Sequence, residues 1–374
     1  MLKKVLYALI FLGIVIAISP LYIKRGIFRN LSDVTDYKFF DNAVVKAGRP
    51  EPWNIGKDCN QRQPSEKHLR EIEDNKTIAF LVIQDDSLRY EQYWRGYSDS
   101  SLSASFSMAK SMVSLMMGIA LEEGKVKSIE DPVAKYIPEF DREGTNTIRI
   151  KDLLSMSGGL DWTESYYNIF GRTANIYYGN DVEKVIRDLK LVRKPGTEFY
   201  YASNETQMLG WIIENAYGRP LPELFSEKIW SRVGAEHDAL WSLDKKGGVA
   251  KTFCCVNSNA RDFARLGKLV LQNGRWDSTQ IVPATYIKEA TTPASWLKDE
   301  NGQPVDFYGY QFWIMRHKGL TIPYFRGVKG QLIFVIPEKN AIVVRLGEYI
   351  SQTKINHHSV DAYAYVDAAL EVLK

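Results

Sequence analysis

Cysteine is scarce, with only Cys59, Cys254 and Cys255 in 374 residues. Their spacing fits neither a zinc site nor a disulfide framework. A single bridge from Cys59 to one of the later pair is an option that nothing in the sequence selects. An excess of one charge is also missing. The 48 Lys and Arg against 45 Asp and Glu leave a net +3 with scattered signs, which is no nucleic-acid footprint. There are no internal repeats and no low-complexity tracts, so solenoid and disordered classes fall away. Histidines number five, and His357-His358 sits near the final helix without a paired motif, so a surface position is expected for it.

Long apolar runs are confined to two places. The first follows the basic start Met1-Leu2-Lys3-Lys4. Val5 to Ile23 is apolar apart from Ser19 and the tyrosine hydroxyls, and Lys24-Arg25 closes it. A run of about 19 residues is long enough to cross a bilayer. Ala17-Ile18-Ser19 has the spacing of a signal cleavage site, but Pro20 directly after it works against cleavage. An uncleaved membrane anchor over residues 1–25 is therefore expected. Basic residues flank both ends, so charge does not set its orientation.

The second run lies behind Ser105-Phe106-Ser107-Met108-Ala109-Lys110. Met112, Val113, Leu115, Met116, Met117, Ile119, Ala120 and Leu121 make a helix apolar on nearly every side, closed by Gly124. Such a helix is central and buried. Positions three apart share a face, so Ser107 Oγ and Lys110 Nζ can meet. Burial and the positive helix N-terminus both push a lysine there towards its neutral form, which can take the serine proton. The pattern is short and recurs by chance. Taken alone, it reads more readily as an N-capping serine and a snorkelling lysine.

Strands flank a helical middle. Thr77–Gln84 reads as a buried strand and Leu88–Trp94 as its alternating partner. Stretches 181–191, 206–216, 221–233 and 261–272 read as helices. Tyr308–Met315, Gln331–Pro337 and Ala341–Leu346 return to strands, and Val360–Leu373 closes as a helix. Strands at both ends mean an antiparallel sheet interrupted by an insertion, not an alternating parallel sheet. The expected division is 26–105 and 301–374 for the two segments of an α/β part and 106–300 for the helical insertion. Residues 161–180 hold Trp162, Tyr166, Tyr167, Phe170, Tyr177 and Tyr178. So aromatic a loop either plugs a gap or lines a cleft.

Two further groups carry potential chemistry. Tyr201 follows a Pro-Gly turn and precedes a helix. Near a charged Lys110 its phenol would ionise more easily and could pass a proton to a leaving group. Gly327 and Gly330 around Val328 permit close backbone approach. An N–H there, with that of Ser107, would form an oxyanion hole. Cys254-Cys255 follows Phe253 and reads as core rather than as a nucleophile.

These motifs occur in order with others: Asp131-Pro132-Val133-Ala134-Lys135-Tyr136-Ile137-Pro138, the run Ile150 to Leu160, Pro195-Gly196-Thr197, Leu209 to Glu214, Arg261 to Gly267, Tyr308-Gly309-Tyr310 and Gly327 to Gln331. From about Phe39 onwards the chain resembles the serine β-lactamase and penicillin-binding-protein-like hydrolases, in the class C-type branch with family VIII esterases and 6-aminohexanoate-dimer hydrolase. The resemblance implies an α+β, β-lactamase/transpeptidase-like fold, with an antiparallel sheet flanked by terminal helices plus an all-helical insertion. It implies Ser107 as acylated nucleophile, Lys110 as its base and Tyr201 as the second-motif tyrosine, with Val328 N–H joining Ser107 N–H at the oxyanion. It implies no metal or organic cofactor, and it suggests a periplasmic or otherwise extracytoplasmic domain on the membrane tether.

Two departures matter. The β-lactamase pattern Tyr-x-Asn becomes Tyr201-Ala202-Ser203, as in the 6-aminohexanoate-dimer hydrolase branch. Phe325-Arg326-Gly327 stands where Lys-Thr-Gly would receive a β-lactam carboxylate. These departures fit a small ester or open-chain amide substrate better than a β-lactamase or penicillin-target role, though a cell-wall peptide stays open. Tyr166, Tyr167, Ser203, Arg326 and Gly327 are the expected contacts. The competing reading is a membrane-tethered scaffold that keeps the fold without turnover.

Overall fold

The computed structural model describes residues 3–7, 10, 13, 32–166 and 168–373. A seven-stranded sheet joins both ends of the chain, in the order Trp313–His317, Leu320–Gly327, Gln331–Ile336, Ala341–Gly347, Thr77–Gln84, Ser87–Tyr93 and Asn54–Ile55. All neighbouring pairs run antiparallel except the short outer pairing of Asn54–Ile55 with Ser87–Leu88. The central strands are buried on both faces, so their sequences read as unbroken apolar runs. The period of two still sorts their side chains. Phe80, Val82, Leu332, Phe334 and Val343 face the terminal helices Glu66–Asp74 and Val360–Val372 through Ile72, Tyr365 and Val366. Leu81, Ile83, Ile333, Val335 and Val344 face the opposite core. There the helix Ala260–Leu271 lies close against the sheet. A Cβ on Gly267 would come within 2.7 Å of Ile342 and 2.9 Å of Ile333.

The central helix, Met108–Glu122, is buried along every residue from Met108 to Ala120. It packs against the helices Ser203–Tyr217 and Ala284–Ala290 and against the strand Leu320–Gly327. Stretch 106–300 also contains strands that periodicity did not reveal, Ala239–Ser242 and Val256–Ser258. With two from the preceding segment they form a second sheet in the order Asn42–Val45, Ala239–Ser242, Val256–Ser258 and Ser103–Ala104. Strands of two to four residues are too short for alternation to register. The strand Leu320–Gly327 was likewise missed; it opens on a glycine turn and carries Pro323 within it.

Several expectations need correction. Among the described residues, no helix is long and apolar enough to cross a membrane, which takes about 20 apolar residues. The membrane anchor, and the extracytoplasmic domain on it that the resemblance suggested, are therefore not supported; most of residues 8–31 lies outside the described residues. Cys59 is free, and Cys254 is bonded to Cys255 instead. His358 is not at the surface. It is 2% exposed, with Nδ1 2.7 Å from the Tyr324 hydroxyl. Burial, then the charges of Arg326 and His357, push its pKa down to about 3.

Arg345, on a central strand, is fully buried. Its guanidinium donates to the carbonyls of Asn75, Lys329 and Gly330 and to Thr77 Oγ1. It thereby anchors the turn that follows Val328. Arg345→Met should strip three carbonyls and the Thr77 hydroxyl of their donor and cost about 3 kcal/mol, read as a lower midpoint in urea denaturation.

Candidate active site

Three elements deliver the candidate residues to one place. The small sheet brings Ser105 to the strand Val256–Ser258, with Ser105 N–H bonded to Val256 O at 2.7 Å and Val256 N–H to Ser105 Oγ at 3.1 Å. Phe106 then turns the chain with φ +43°, a left-handed conformation unusual for a bulky residue. That turn sets Ser107 at the mouth of the central helix. The strand Leu320–Gly327 reaches the same point because Gly327 has no side chain. A Cβ there would lie 2.3 Å from Ser105 O. Val328, the next residue, and Ser107 thus border the same cavities.

The helix position of Ser107 allows it to be an N-cap, but its side chain makes no capping bond. Its hydroxyl faces the same cleft as the Tyr201 phenol and acts to lower that phenol's pKa. Lys110 does not snorkel; it is 1% exposed. Its Nζ lies 5.4 Å from the Tyr201 ring centroid. The bonds it makes go to Ser203 Oγ at 3.0 Å and Phe253 O at 2.8 Å rather than to Ser107. Burial pushes its pKa down to about 8, against a smaller upward pull from Glu164. The expectation for Tyr201 fails. Burial raises its pKa, and the negative Glu164 adds to this, outweighing the downward pulls of Ser107 and the positive Arg326. Its phenol therefore stays a proton donor.

Glu164 and the Phe253 carbonyl were not anticipated. Glu164 accepts from Ser203 N–H and Ser203 Oγ–H, both at 2.8 Å, and from Trp162 Nε1 at 2.7 Å. The only hint in the sequence is that Asp161 and Glu164 are the sole acids among the aromatics of 161–180.

Two cavities meet at Ser107, Tyr166 and Val328. The smaller, about 50 Å³, is walled by Phe106, Ile169, Ala174, Tyr177, Tyr178 and Phe253. The aromatic loop therefore does both things weighed for it. Trp162, Tyr177 and Tyr178 are buried, while Tyr166 is exposed at the rim beside Glu164. Tyr167 lies outside the described residues. The larger cleft, about 540 Å³, is lined by Tyr201, Trp313, Arg326, Gly327, Lys329 and Lys354 among others. Arg326 stacks on Trp313 at 4.3 Å and donates to His357 O at 3.0 Å. Among the described residues, none of Arg326, Lys329 and Lys354 forms an ion pair, whereas Glu348 on the same wall is paired with Arg95 at 3.1 Å.

Comparison with known proteins bears on this arrangement. A family model described as Beta-lactamase matches residues 66–348. The chain is 24% identical over 314 residues to a 6-aminohexanoate-dimer hydrolase of Paenarthrobacter ureafaciens, covering 80% of this chain and 79% of that protein. A solved Bacillus anthracis structure, described as a candidate 6-aminohexanoate-dimer hydrolase, superposes with a TM-score of 0.79 at 24% identity, over 91% of this chain and 94% of that one. A family VIII carboxylesterase superposes with a TM-score of 0.62 at 18% identity, over 82% and 98%. At these identities the two structures bear on the fold alone.

Proposed function

The chain belongs to the β-lactamase family, and from that premise we propose that it is a serine hydrolase that passes through an acyl-enzyme on Ser107. The observation that carries this reading is that Ser107 and Tyr201 line one open cleft, with the buried Lys110 amine 5.4 Å from the Tyr201 ring. Ser107 Oγ attacks an ester or open-chain amide carbonyl as its proton moves to the neutral Lys110 amine. The N–H groups of Ser107 and Val328 hold the developing oxyanion. Tyr201 gives its proton to the leaving group and is reprotonated from Lys110. Water then attacks the acyl-enzyme, with the same groups running in reverse.

The cleft suggests the rest of the substrate. Three cations without acidic partners converge on its wall, which favours a ligand carrying a carboxylate on that side of the scissile bond. The name of the Paenarthrobacter ureafaciens relative, a 6-aminohexanoate-dimer hydrolase, is in keeping with a linear amide of that kind. A charge-assisted hydrogen bond contributes about 1.5–3 kcal/mol. Arg326→Gln should therefore lower kcat/KM about 10- to 100-fold for an ester or amide ending in a carboxylate. The matching uncharged ester should change less than about twofold; an equal loss on both would remove Arg326 from recognition.

Labelling with an active-site fluorophosphonate, followed by peptide mapping, tests the reaction itself. An adduct on Ser107 is expected. Folded protein that takes no label would instead be a binding protein that keeps the fold without turnover.

A further inference from the structure

Resting on the reading of Ser107 as nucleophile, we infer that Glu164 is a positioning residue that keeps the Ser203 hydroxyl pointed away from Lys110, so that the lysine lone pair is left for Ser107. The argument begins with proton counting. A neutral lysine amine has two N–H bonds and one lone pair. Both N–H bonds are occupied, by Ser203 Oγ at 3.0 Å and Phe253 O at 2.8 Å. The lone pair is then the remaining direction on Nζ.

Phe253 O is a carbonyl and can only accept. Ser203 Oγ is different, because a hydroxyl can accept from Lys110 or donate to it. If it donated, its proton would sit on the lone pair that Ser107 needs. Glu164 removes that choice. Its two oxygens grip Ser203 at both N–H and Oγ–H, each at 2.8 Å. Trp162 Nε1 also donates to it, at 2.7 Å. Three donors and no acceptor are bonded to Glu164, the set that a carboxylate satisfies. With its proton committed to Glu164, Ser203 meets Lys110 as an acceptor.

The charge has a second effect. Among the described residues, Glu164 is the one charged group whose field acts on Lys110, and it favours the protonated form. Of the other groups around the lysine, Tyr201 presents its ring face and Phe253 its carbonyl and ring. Arg326, on the neighbouring strand, acts on Tyr201 and Tyr166. Glu205, on the adjoining helix, is turned to Gly158 N–H, and the buried Lys251 to the Tyr177 carbonyl.

The test is the rate of Ser107 phosphonylation across the lysine's titration in the parent, Glu164→Gln and Glu164→Asp, with thermal unfolding run on each. In Glu164→Gln the amide can donate to Ser203 and release its proton towards Lys110. The plateau rate should fall about tenfold, and the acid limb should move to lower pH because the anion that favours protonated Lys110 is gone. Glu164→Asp keeps the charge and should keep the limb where the parent has it. A lower plateau with an unmoved limb in Glu164→Gln, or a limb that moves equally in Glu164→Asp, overturns the inference and leaves Glu164 a structural residue. A parent enzyme that takes no label fails earlier: it sinks the reading of Ser107, and this inference with it.

Discussion

Ser107→Ala is expected to lower hydrolysis of an activated ester by at least about 10³-fold. Its unfolding free energy should stay within about 0.5 kcal/mol of the parent. The two halves of this prediction separate a nucleophile from a helix cap. A capping serine replaced by alanine costs about 1 kcal/mol, because an N–H at the helix start loses its acceptor. Ser107 occupies the cap position, yet its hydroxyl caps nothing and faces the cleft beside Tyr201. Its removal should therefore leave the helix intact and the chemistry without an attacking atom. Unaltered turnover, measured by p-nitrophenolate release, would exclude Ser107 as nucleophile.

Lys110→Met is expected to lower turnover about 10³- to 10⁴-fold while making the protein more stable below about pH 8. The lysine is buried without a directly bonded anion. Its pKa lies at about 8 against the ordinary 10.5, with burial as the main cause. The sign follows from proton binding. Between about 8 and 10.5 the unfolded chain holds the proton and the folded one has released it, so stability rises with pH through that window. Below about 8 both states are protonated, and the displacement corresponds to roughly 3 kcal/mol of destabilisation. Methionine keeps the length and removes the charge. Phe253 O loses its donor, which offsets part of the gain, leaving an increase of about 2 kcal/mol at neutral pH. The gain should shrink as pH rises through the window, as measured by urea denaturation at several pH values. In the parent, kcat/KM should climb tenfold per pH unit up to about 8, as the amine is freed to accept the serine proton. A flat profile would place the base elsewhere.

Much of the site's raw material was legible before any coordinates. The apolar run after Lys110 marked a helix without a solvent face, and Met108 to Ala120 is indeed buried throughout. The strands at both chain ends close into one sheet, with Ala341–Gly347 beside Thr77–Gln84. Ser203 and Arg326 drew attention as departures from a family pattern, and both border the space around Ser107. The failures share a cause. His358 was expected at the surface because no motif claimed it, but Tyr324, on a strand opened by a turn, holds its ring. The tyrosine at 201 was expected to ionise readily beside a charged lysine, but desolvation, with Glu164 adding to it, raises its pKa. Four short strands went unread because so few residues cannot display a period.

What the order of residues determined on its own was which elements form and which faces are apolar, since hydrophobic spacing is a local property of the chain. It also set serine and lysine one turn apart. What only the tertiary structure decided was where the polar atoms point. Lys110 is tied to a hydroxyl 93 positions away and a carbonyl 143 positions away, and Glu164 reaches it through that hydroxyl. A buried donor or acceptor takes whichever partner packing brings within reach, because leaving it unpaired costs about 1–3 kcal/mol. No period in the chain encodes that choice.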